Sequence, residues 1–435
     1  MASAEISESV QHAITPAECK DFYYSGEGNT ELQCFPTLVD NRYYFSLPSL
    51  SQSSTNTIIF NPDQGLSDIV LTASLPPSTG DSGAGSWSGY AMPRGWLAAM
   101  VQQVALRIGG SSLYYFTGDQ IMVDTLTDCE ESGKKQGVMN FAGGELLSQA
   151  DFSSTNAVGR SASIYLKMPF NSISALQKTL ALPTDLLTQP VQILVQMRSF
   201  QDVAFWYGSG TPVTSNLPTA FSILQCNFRK TTMQSSEHLL ARREDMLHKA
   251  LTYPLRYFAQ TAFKTTVPAT AGVPATINLT GFRSGSVKYI DVWARPLSST
   301  QQPVPGTNWN WVPFTAVTML INGLVMYDSR DTNNGLWSLC DRKTPAQVDV
   351  TSLTASGDNT YAVPTPSVMP WTPIQLGQIS ESGCFENEVA LGYPIQNSVV
   401  NLSVTLPTTG YYEISAAYHY AASLVFTKNT AEYVF

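Results

Sequence analysis

Residues 96–114 read WLAAMVQQVALRIGGSSLY and contain the pattern that decides the fold. Val104, Leu106 and Ile108 alternate with small or polar residues, which is typical of a strand with one buried face. A Gly pair at 109–110 interrupts the run, and apolar residues then resume. Because the tight turns that match strand twist need a positive φ, this arrangement predicts a β-hairpin.

The same pattern returns at residues 309–327, WNWVPFTAVTMLINGLVMY, where the turn pair is Asn-Gly. The two stretches lie 213 positions apart (309 − 96) and share identities in register. These repeat markers are Trp96, Val104, Ile108, Gly110 and Tyr114 in the first stretch and Trp309, Val317, Ile321, Gly323 and Tyr327 in the second. A repeat of this length predicts a duplicated domain rather than a solenoid unit. The recurrence of Trp96 and Trp309 favours a role in the core or in domain packing over sugar binding.

The composition favours an all-β protein or one whose surface lies in permanent contacts. The chain has 435 residues, of which 43% are hydrophobic, and this excludes a disordered protein. Charged residues make up only 13%, against about 25% in typical domains. The net charge is −9 and no basic run exceeds two residues, so we expect no specific binding of nucleic acid.

Cysteine usage and hydropathy indicate a protein assembled inside a cell. The six cysteines have no spacing typical of a zinc site, which predicts reduced thiols. Glu5 and Glu8 stand where a signal peptide would be apolar, so we expect none. Apolar runs all fall short of the roughly 18 residues that a membrane span needs, so we expect no spanning helix.

Short strand-like segments separated by Gly- and Pro-rich turns fill both halves of the chain. They predict an all-β fold of two tandem eight-stranded antiparallel jelly rolls (a double jelly roll) with long loops and one short connector helix. A capped amphipathic segment at 235–251 predicts the connector, and the spacing in 119–128 predicts another short helix. We expect an N-terminal arm at 1–40, a first roll at 41–232, a connector helix and linker at 233–256, and a second roll at 257–435.

Residues that could carry chemistry are scattered. The four histidines, none at metal-ligand spacing from another, are His12, His238, His248 and His419. An acidic group of the type used in glycoside hydrolysis consists of Asp119, Asp124, Asp128, Glu130 and Glu131. Spacing alone favours a solvated face for this group, and segment 331–335 favours a plain turn over a calcium loop. We therefore predict no catalytic, cofactor-binding or metal-binding residue, and no cofactor.

The order of several segments resembles the double jelly-roll major capsid proteins of tailless icosahedral double-stranded DNA viruses. The likeness is greatest to those of nucleocytoplasmic large DNA viruses, virophages and polinton-like viruses. The segments that carry it are GLSDIVLTASLP at 65–76, WLAAMVQQVALRIGG at 96–110, SEHLLARREDMLHKALTYPLRYF at 236–258, INLTGFRSGSVKYIDVWARP at 277–296 and YYEISAAYHYAASLVFTKNTAEYVF at 411–435. The last segment departs from the family, which often has Asn and Gly where this chain has His419, Ala421 and Ala422.

This resemblance implies a viral major capsid protein without enzymatic activity, located in the virion and assembled inside the host cell. It implies a pseudo-hexagonal homotrimer that tiles an icosahedral shell around a double-stranded DNA genome. Its partners would be neighbouring capsomers and minor capsid or penton proteins, with membrane contact at most indirect. The long segments 130–160, 200–219 and 341–385 would form outer towers, and the N-terminal arm would lie inside.

Two alternatives remain open from the residues alone. The first is a tandem β-sandwich glycan-binding protein or glycoside hydrolase, which needs a cleft with convergent carboxylates and aromatic side chains. The second is a minor or penta-symmetric capsid protein, which usually has a single roll.

Overall fold

The computed structural model describes most of both predicted rolls. The described residues are 40–46, 53–60, 65–78, 83–109, 111–128, 141–143, 149–153, 160–166, 182–183, 189–208, 211–231, 251–282, 286–305, 309, 311–331, 371–376, 393–395, 397–426 and 431–434. Residues 1–39, and with them nearly all of the predicted arm, lie outside this set. So do most of the predicted tower segments 130–160 and 341–385.

The first half of the described chain consists of short strands and four short helices. Strands β1 to β11 are Asp40–Ser46, Thr55–Phe60, Gly65–Ser74, Tyr90–Ala91, Val101–Ile108, Ser111–Phe116, Ser161–Tyr165, Leu182–Pro183, Val191–Met197, Phe205–Trp206 and Ile223–Thr231. Helices α1 to α4 are Trp96–Met100, Gly118–Asp128, Gln149–Ser153 and Phe200–Val203. The predicted short helix at 119–128 is thereby confirmed as α2.

The second half of the described chain is built of strands. Strands β12 to β21 are Leu251–Ala269, Pro274–Leu279, Ser286–Leu297, Ala316–Ile321, Leu324–Asp328, Thr372–Gln375, Tyr393–Pro394, Val400–Thr405, Gly410–Phe426 and Ala431–Val434. The two predicted hairpins are confirmed as β5-β6 and β15-β16.

Both halves have the same strand order. In roll one the sheets are β1-β11-β3-β7, with β8 also paired to β3, and β2-β9-β5-β6. In roll two they are β12-β20-β14-β17, with β18 also paired to β14, and β13-β19-β15-β16. Replacing each of these strands of roll one by its counterpart gives the sheets of roll two, and all of these pairs are antiparallel. Strand β21, which pairs with β20, and the pair β4-β10 have no counterpart in the other roll among the described strands. The predicted fold, two tandem eight-stranded antiparallel jelly rolls, is confirmed.

The two hairpins share their register as well. Leu106 pairs with Tyr114 in roll one, and Met319 pairs with Tyr327 in roll two. A register shift follows at once in each case, after Leu106 and after Met319. These positions differ by 213 throughout (319 − 106 and 327 − 114). A β-bulge at the same place in both rolls bends both hairpins alike.

The backbone conformation of the turn between β15 and β16 explains why it contains an Asn-Gly pair. Asn322 has φ of 51° and Gly323 has φ of 82°, so both residues occupy the left-handed region that a type I′ turn requires. In roll one Gly109 has φ of 59°, and Gly110 lies outside the described residues.

Apolar residues at alternate positions of the strands form the core. Along β9 the inward residues Val191, Ile193, Val195 and Met197 are fully buried, and the residues between them are half-buried. Helix α1, whose five residues are all apolar, is buried on every side. Because each sheet covers the apolar face of its partner, burial explains why period-two alternation recurs in so many strands.

The predicted connector needs a correction. Residues 232–250 lie outside the described set, but Leu251 begins β12, so residues 251–256 are strand and not helix or linker. Proline is a residue that ends helices, yet Pro254 lies within the strand opposite Ser423. Proline is tolerated there because β12 is an edge strand, where a missing N–H need not cost a ladder hydrogen bond.

Segment 200–219 is also not simply a projecting loop. It contains α4 and the short strand β10, and Phe200, Val203 and Leu217 are buried in the core. Apolar residues spaced along the segment pack onto the sandwich, because the free energy gained by burying them outweighs the conformational entropy lost in ordering the chain.

Trp96 offers a direct test of core packing in roll one. A Cβ placed on Gly143 would lie 2.3 Å from Cδ1 of the buried Trp96 ring. Gly143→Ala should therefore lower the free energy of unfolding by about 1–3 kcal/mol more than the backbone strain alone. Gly272→Ala is the control, because Gly272 also has a positive φ (+71°) but nothing within 4 Å of the added Cβ. Gly272→Ala should lower the free energy of unfolding by about 1–2 kcal/mol, from backbone strain alone. Urea unfolding measures both, and equal losses would show that Trp96 yields to the new methyl group.

Candidate interaction site at the junction between the two rolls

Strand β6 of roll one lies beside β12 and β21 of roll two, and this contact is the junction between the rolls. A cavity of about 580 Å³ opens there and is lined by residues of both rolls. Its charged lining residues are Asp119, Arg198 and Asp202 from roll one and Lys264 and Arg295 from roll two. We call this group, together with Glu413, the junction cluster.

Roll two contributes a compact network of ion pairs to the junction cluster. Arg295 on β14 lies directly opposite Glu413 on β20, and its Nη2 donates to Oε1 of that carboxylate. Nζ of Lys264, on β12, lies 2.7 Å from Oε2 of Glu413. Three adjacent strands thus bring one carboxylate between two cations. The arrangement satisfies both oxygens of a carboxylate that is almost fully buried.

The charged groups in this network shift one another's pKa values. Burial acts to raise the pKa of Glu413, but the charges of Arg295 and Lys264 and their hydrogen bonds outweigh it and lower the pKa. Burial likewise acts to lower the pKa of Arg295, and the negative charges of Asp119 and Glu413 outweigh it, so that pKa is raised. Both groups therefore stay charged at neutral pH.

Roll one contributes Asp119 and Arg198. Asp119 lies in the first turn of α2, is 5% exposed, and its buried Oδ1 has no hydrogen-bond partner among the described residues. Its charge acts on Arg295 of roll two as well as on Arg198 of its own roll. Nη1 of Arg198 donates to the carbonyl of Ala99 (3.0 Å), which holds the guanidinium against α1. The attraction between Asp119 and Arg295 therefore spans the junction.

A tryptophan adds a second link between the rolls. Nε1 of Trp309 donates to the carbonyl of Arg94 at 2.7 Å, and the Trp309 ring is buried. Trp96 begins α1 inside roll one, whereas Trp309 lies in a turn. Both rings are buried, but Trp309 contacts the opposite roll as well as its own.

The predicted solvated face of the acidic group is wrong for the two members whose side chains are described. Asp119 and Asp124 are 5% and 4% exposed, and Nε2 of Gln120 donates to Oδ1 of Asp124 at 2.5 Å. The side chain of Asp128 and both Glu130 and Glu131 lie outside the described set. The face of α2 that carries Asp119 turns towards the other roll, so tertiary contact decides its burial.

The histidines show what sequence reasoning missed. His419 is buried, its Nε2 lies 2.9 Å from Oδ2 of the fully buried Asp291, and its ring stacks on Tyr289. Nothing in the sequence links positions 291 and 419, because they meet only through the register of β14 and β20. His12, His238 and His248 lie outside the described residues.

Within the described set no three His, Cys, Asp or Glu side chains group in a way that could hold a metal ion. The helices of that same set include none long and apolar enough to cross a membrane.

Removing the central carboxylate should loosen roll two. Glu413→Gln leaves Arg295 buried with a neutral partner, so we expect a loss of about 3–5 kcal/mol in the free energy of unfolding at pH 7. The folded-state pKa of Glu413 is lowered, so its stabilisation is present above the ordinary value of 4.5 and is lost as the pH falls through the folded value. Urea unfolding from pH 7 to pH 3 should show the wild-type advantage shrinking. The control is Asp331→Asn, because Asp331 is exposed. If the difference in free energy of unfolding between wild type and Glu413→Gln stays constant across this pH range, the assignment is contradicted.

Solved structures share this arrangement of two rolls. The chain is similar to one from the PBCV-1 virus capsid, with a TM-score of 0.55 and 11% identity over 92% of this chain and 98% of that chain. A chain of the Sputnik virophage structure gives a TM-score of 0.51 and 13% identity, covering 95% of this chain and 92% of that one. The Faustovirus major capsid protein gives 0.50 and 9%, covering 91% of this chain and 92% of its own.

Sequence comparison adds nothing to this likeness, since no family model matches the chain and no curated protein matches it either. The similarity lies in the three-dimensional arrangement and extends over both rolls. The chain therefore has the double jelly-roll fold of the viral major capsid proteins that it resembles.

Proposed function

We propose that this chain is a viral major capsid protein, that three copies form a pseudo-hexagonal capsomer, and that these capsomers tile an icosahedral shell around a double-stranded DNA genome. Its role is structural and not enzymatic, and its place is the virion. Its partners are neighbouring capsomers and minor capsid or penton proteins, and contact with a membrane is at most indirect.

The observation that carries the proposal is the identity of strand order and hairpin register between the two rolls. Three chains of two like rolls present six similar units around one axis. A three-fold axis closes the contacts between chains, while duplication within the chain supplies the six-sided outline. A charged fraction of 13% agrees with this, because the centres of subunit interfaces are depleted in charged residues.

The division of the chain is also a proposal. It keeps the arm at 1–40 and the first roll at 41–232, and it moves the start of the second roll from residue 257 to Leu251, where β12 begins. The repeat markers on the hairpin strands would then occupy equivalent places in the two rolls. Strands β5 and β6 carry Val104, Ile108 and Tyr114, and β15 and β16 carry the counterparts of these residues.

The rival function, glycan binding or glycoside hydrolysis, finds little support at the junction cavity. Glu413, which lies beside the cavity and is not one of its lining residues, is paired with two cations and has a lowered pKa. A general acid in glycoside hydrolysis needs a raised pKa.

The proposal predicts the mass of the particle in solution. Light scattering on the purified chain at about 1 μM should give three times 47.4 kDa, because an obligate oligomer of this kind outlasts dilution to that level. Electron microscopy of the same sample should show particles with a six-sided outline.

A well-folded monomer at that concentration would contradict the trimer. Saturable binding of a glycan panel by such a monomer would support the rival function instead.

A further inference from the structure

The junction within the chain shows how one roll presents a face to the next. Strand β6 is an edge strand of its sheet, and it lies beside β12, which is an edge strand of the first sheet of roll two. Tyr115 of β6 lines the junction cavity together with Phe263 and Lys264 of β12. The contact is therefore head to tail, because the β6 side of one roll meets the β12 side of the other.

Roll two has the counterpart of the β6 side, and there it faces solvent. The offset of 213 takes Ser111 to Leu324 and Ser112 to Val325. Leu324 is 68% exposed and Val325 is 60% exposed. Strand β16 pairs only with β15 among the described strands, so its other edge is unpaired within the described part of the chain.

A third apolar side chain joins this surface. Val399 is 55% exposed and is tied to the hairpin turn by two hydrogen bonds. The N–H of Asn322 donates to the carbonyl of Val399, and the N–H of Val399 donates to Oδ1 of Asn322, each at 2.9 Å. Three large aliphatic side chains are thus exposed at one hairpin end, a feature found in interaction surfaces. The corresponding hairpin end of roll one has two serines instead.

An ion pair continues the surface at the end of β16 and just beyond it. The offset takes Tyr115 and Thr117, which line the internal junction, to Asp328 and Arg330. Nε and Nη2 of Arg330 donate to the two carboxylate oxygens of Asp328, at 2.9 and 2.7 Å. The charges are thus already compensated in the free chain, and a partner that covers them need not supply a counter-charge.

We infer that this surface binds the β1 edge of roll one in a second copy of the chain. This inference rests on the proposed trimer. We call the surface the β16 face, and it consists of Leu324, Val325, Asp328, Arg330 and Val399. The occupant follows from the internal junction. There the β6 side meets β12, and the counterpart of β12 in roll one is β1, which pairs only with β11 among the described strands. Each copy then offers one β16 face and one β1 edge, and such a heterologous contact closes into a ring.

Charge placed on the β16 face should separate the copies. Leu324→Asp and Val325→Asp should each raise the dissociation constant of the trimer about 100-fold, as loss of an interface hot spot does. The control is Val273→Asp, because Val273 is 52% exposed but lies in the turn between β12 and β13, away from the β16 face. Light scattering over a dilution series measures the mass. Circular dichroism shows whether each variant is folded, which we expect because the changed side chains face solvent.

Cross-linking tests which edge occupies the face. A short bismaleimide should join Val325→Cys to Arg42→Cys, in the first half of β1, in the doubly substituted chain and produce dimers and trimers on a denaturing gel. The wild type serves as background for the native cysteines. If Val325→Cys alone gives the same products, the face meets itself and the head-to-tail assignment is wrong.

The two proposals fail in different ways. A monomeric wild type would overturn the trimer itself. A trimeric wild type whose mass is unaffected by Leu324→Asp and Val325→Asp would overturn only the assignment of the β16 face.

Discussion

The edges of the four large sheets, two in each roll, impose the main constraint on the described part of this structure. A jelly roll is an open sandwich, and its outermost strands carry unpaired N–H and C=O groups that favour association with other chains. Inside the chain two of these edges cover each other at the junction, where β6 lies beside β12 without pairing with it in the described sheets. The junction cavity opens at that contact, and Asp119 of roll one there faces the buried charges of roll two.

The chemistry of the junction is ionic, whereas the corresponding face of roll two is mainly apolar. Arg295, Glu413 and Lys264 form a network that is costly to desolvate, and Asp119 extends it across to roll one. Charged groups contribute more to specificity than to affinity, so the network favours one relative placement of the rolls. Leu324 and Val325 have no such directional requirement. A contact that forms within every chain and one proposed between chains can thus differ in chemistry while sharing a geometry.

Local patterns were sufficient to predict most of the architecture. Alternation along Val104, Leu106 and Ile108, followed by a Gly pair, predicts a hairpin because only extended backbone places such residues on one face. The recurrence of that pattern 213 positions later predicts the second roll. Prediction failed around Pro254, because a proline stops a helix or a central strand but is tolerated at the edge position that β12 occupies.

The candidate site was much less predictable, because its members are distant in sequence. Glu413 meets Arg295 across 118 positions, and Asp119 comes from the other roll. An acidic residue on a short helix suggests a solvated face until the neighbour of that helix is known. By itself the sequence determined the strands, the turns and the duplication, since these depend on side-chain periodicity and on the φ preferences of a few residues. Only the tertiary structure decided which charges are buried together and which apolar residues stay exposed, because burial depends on what the other roll covers.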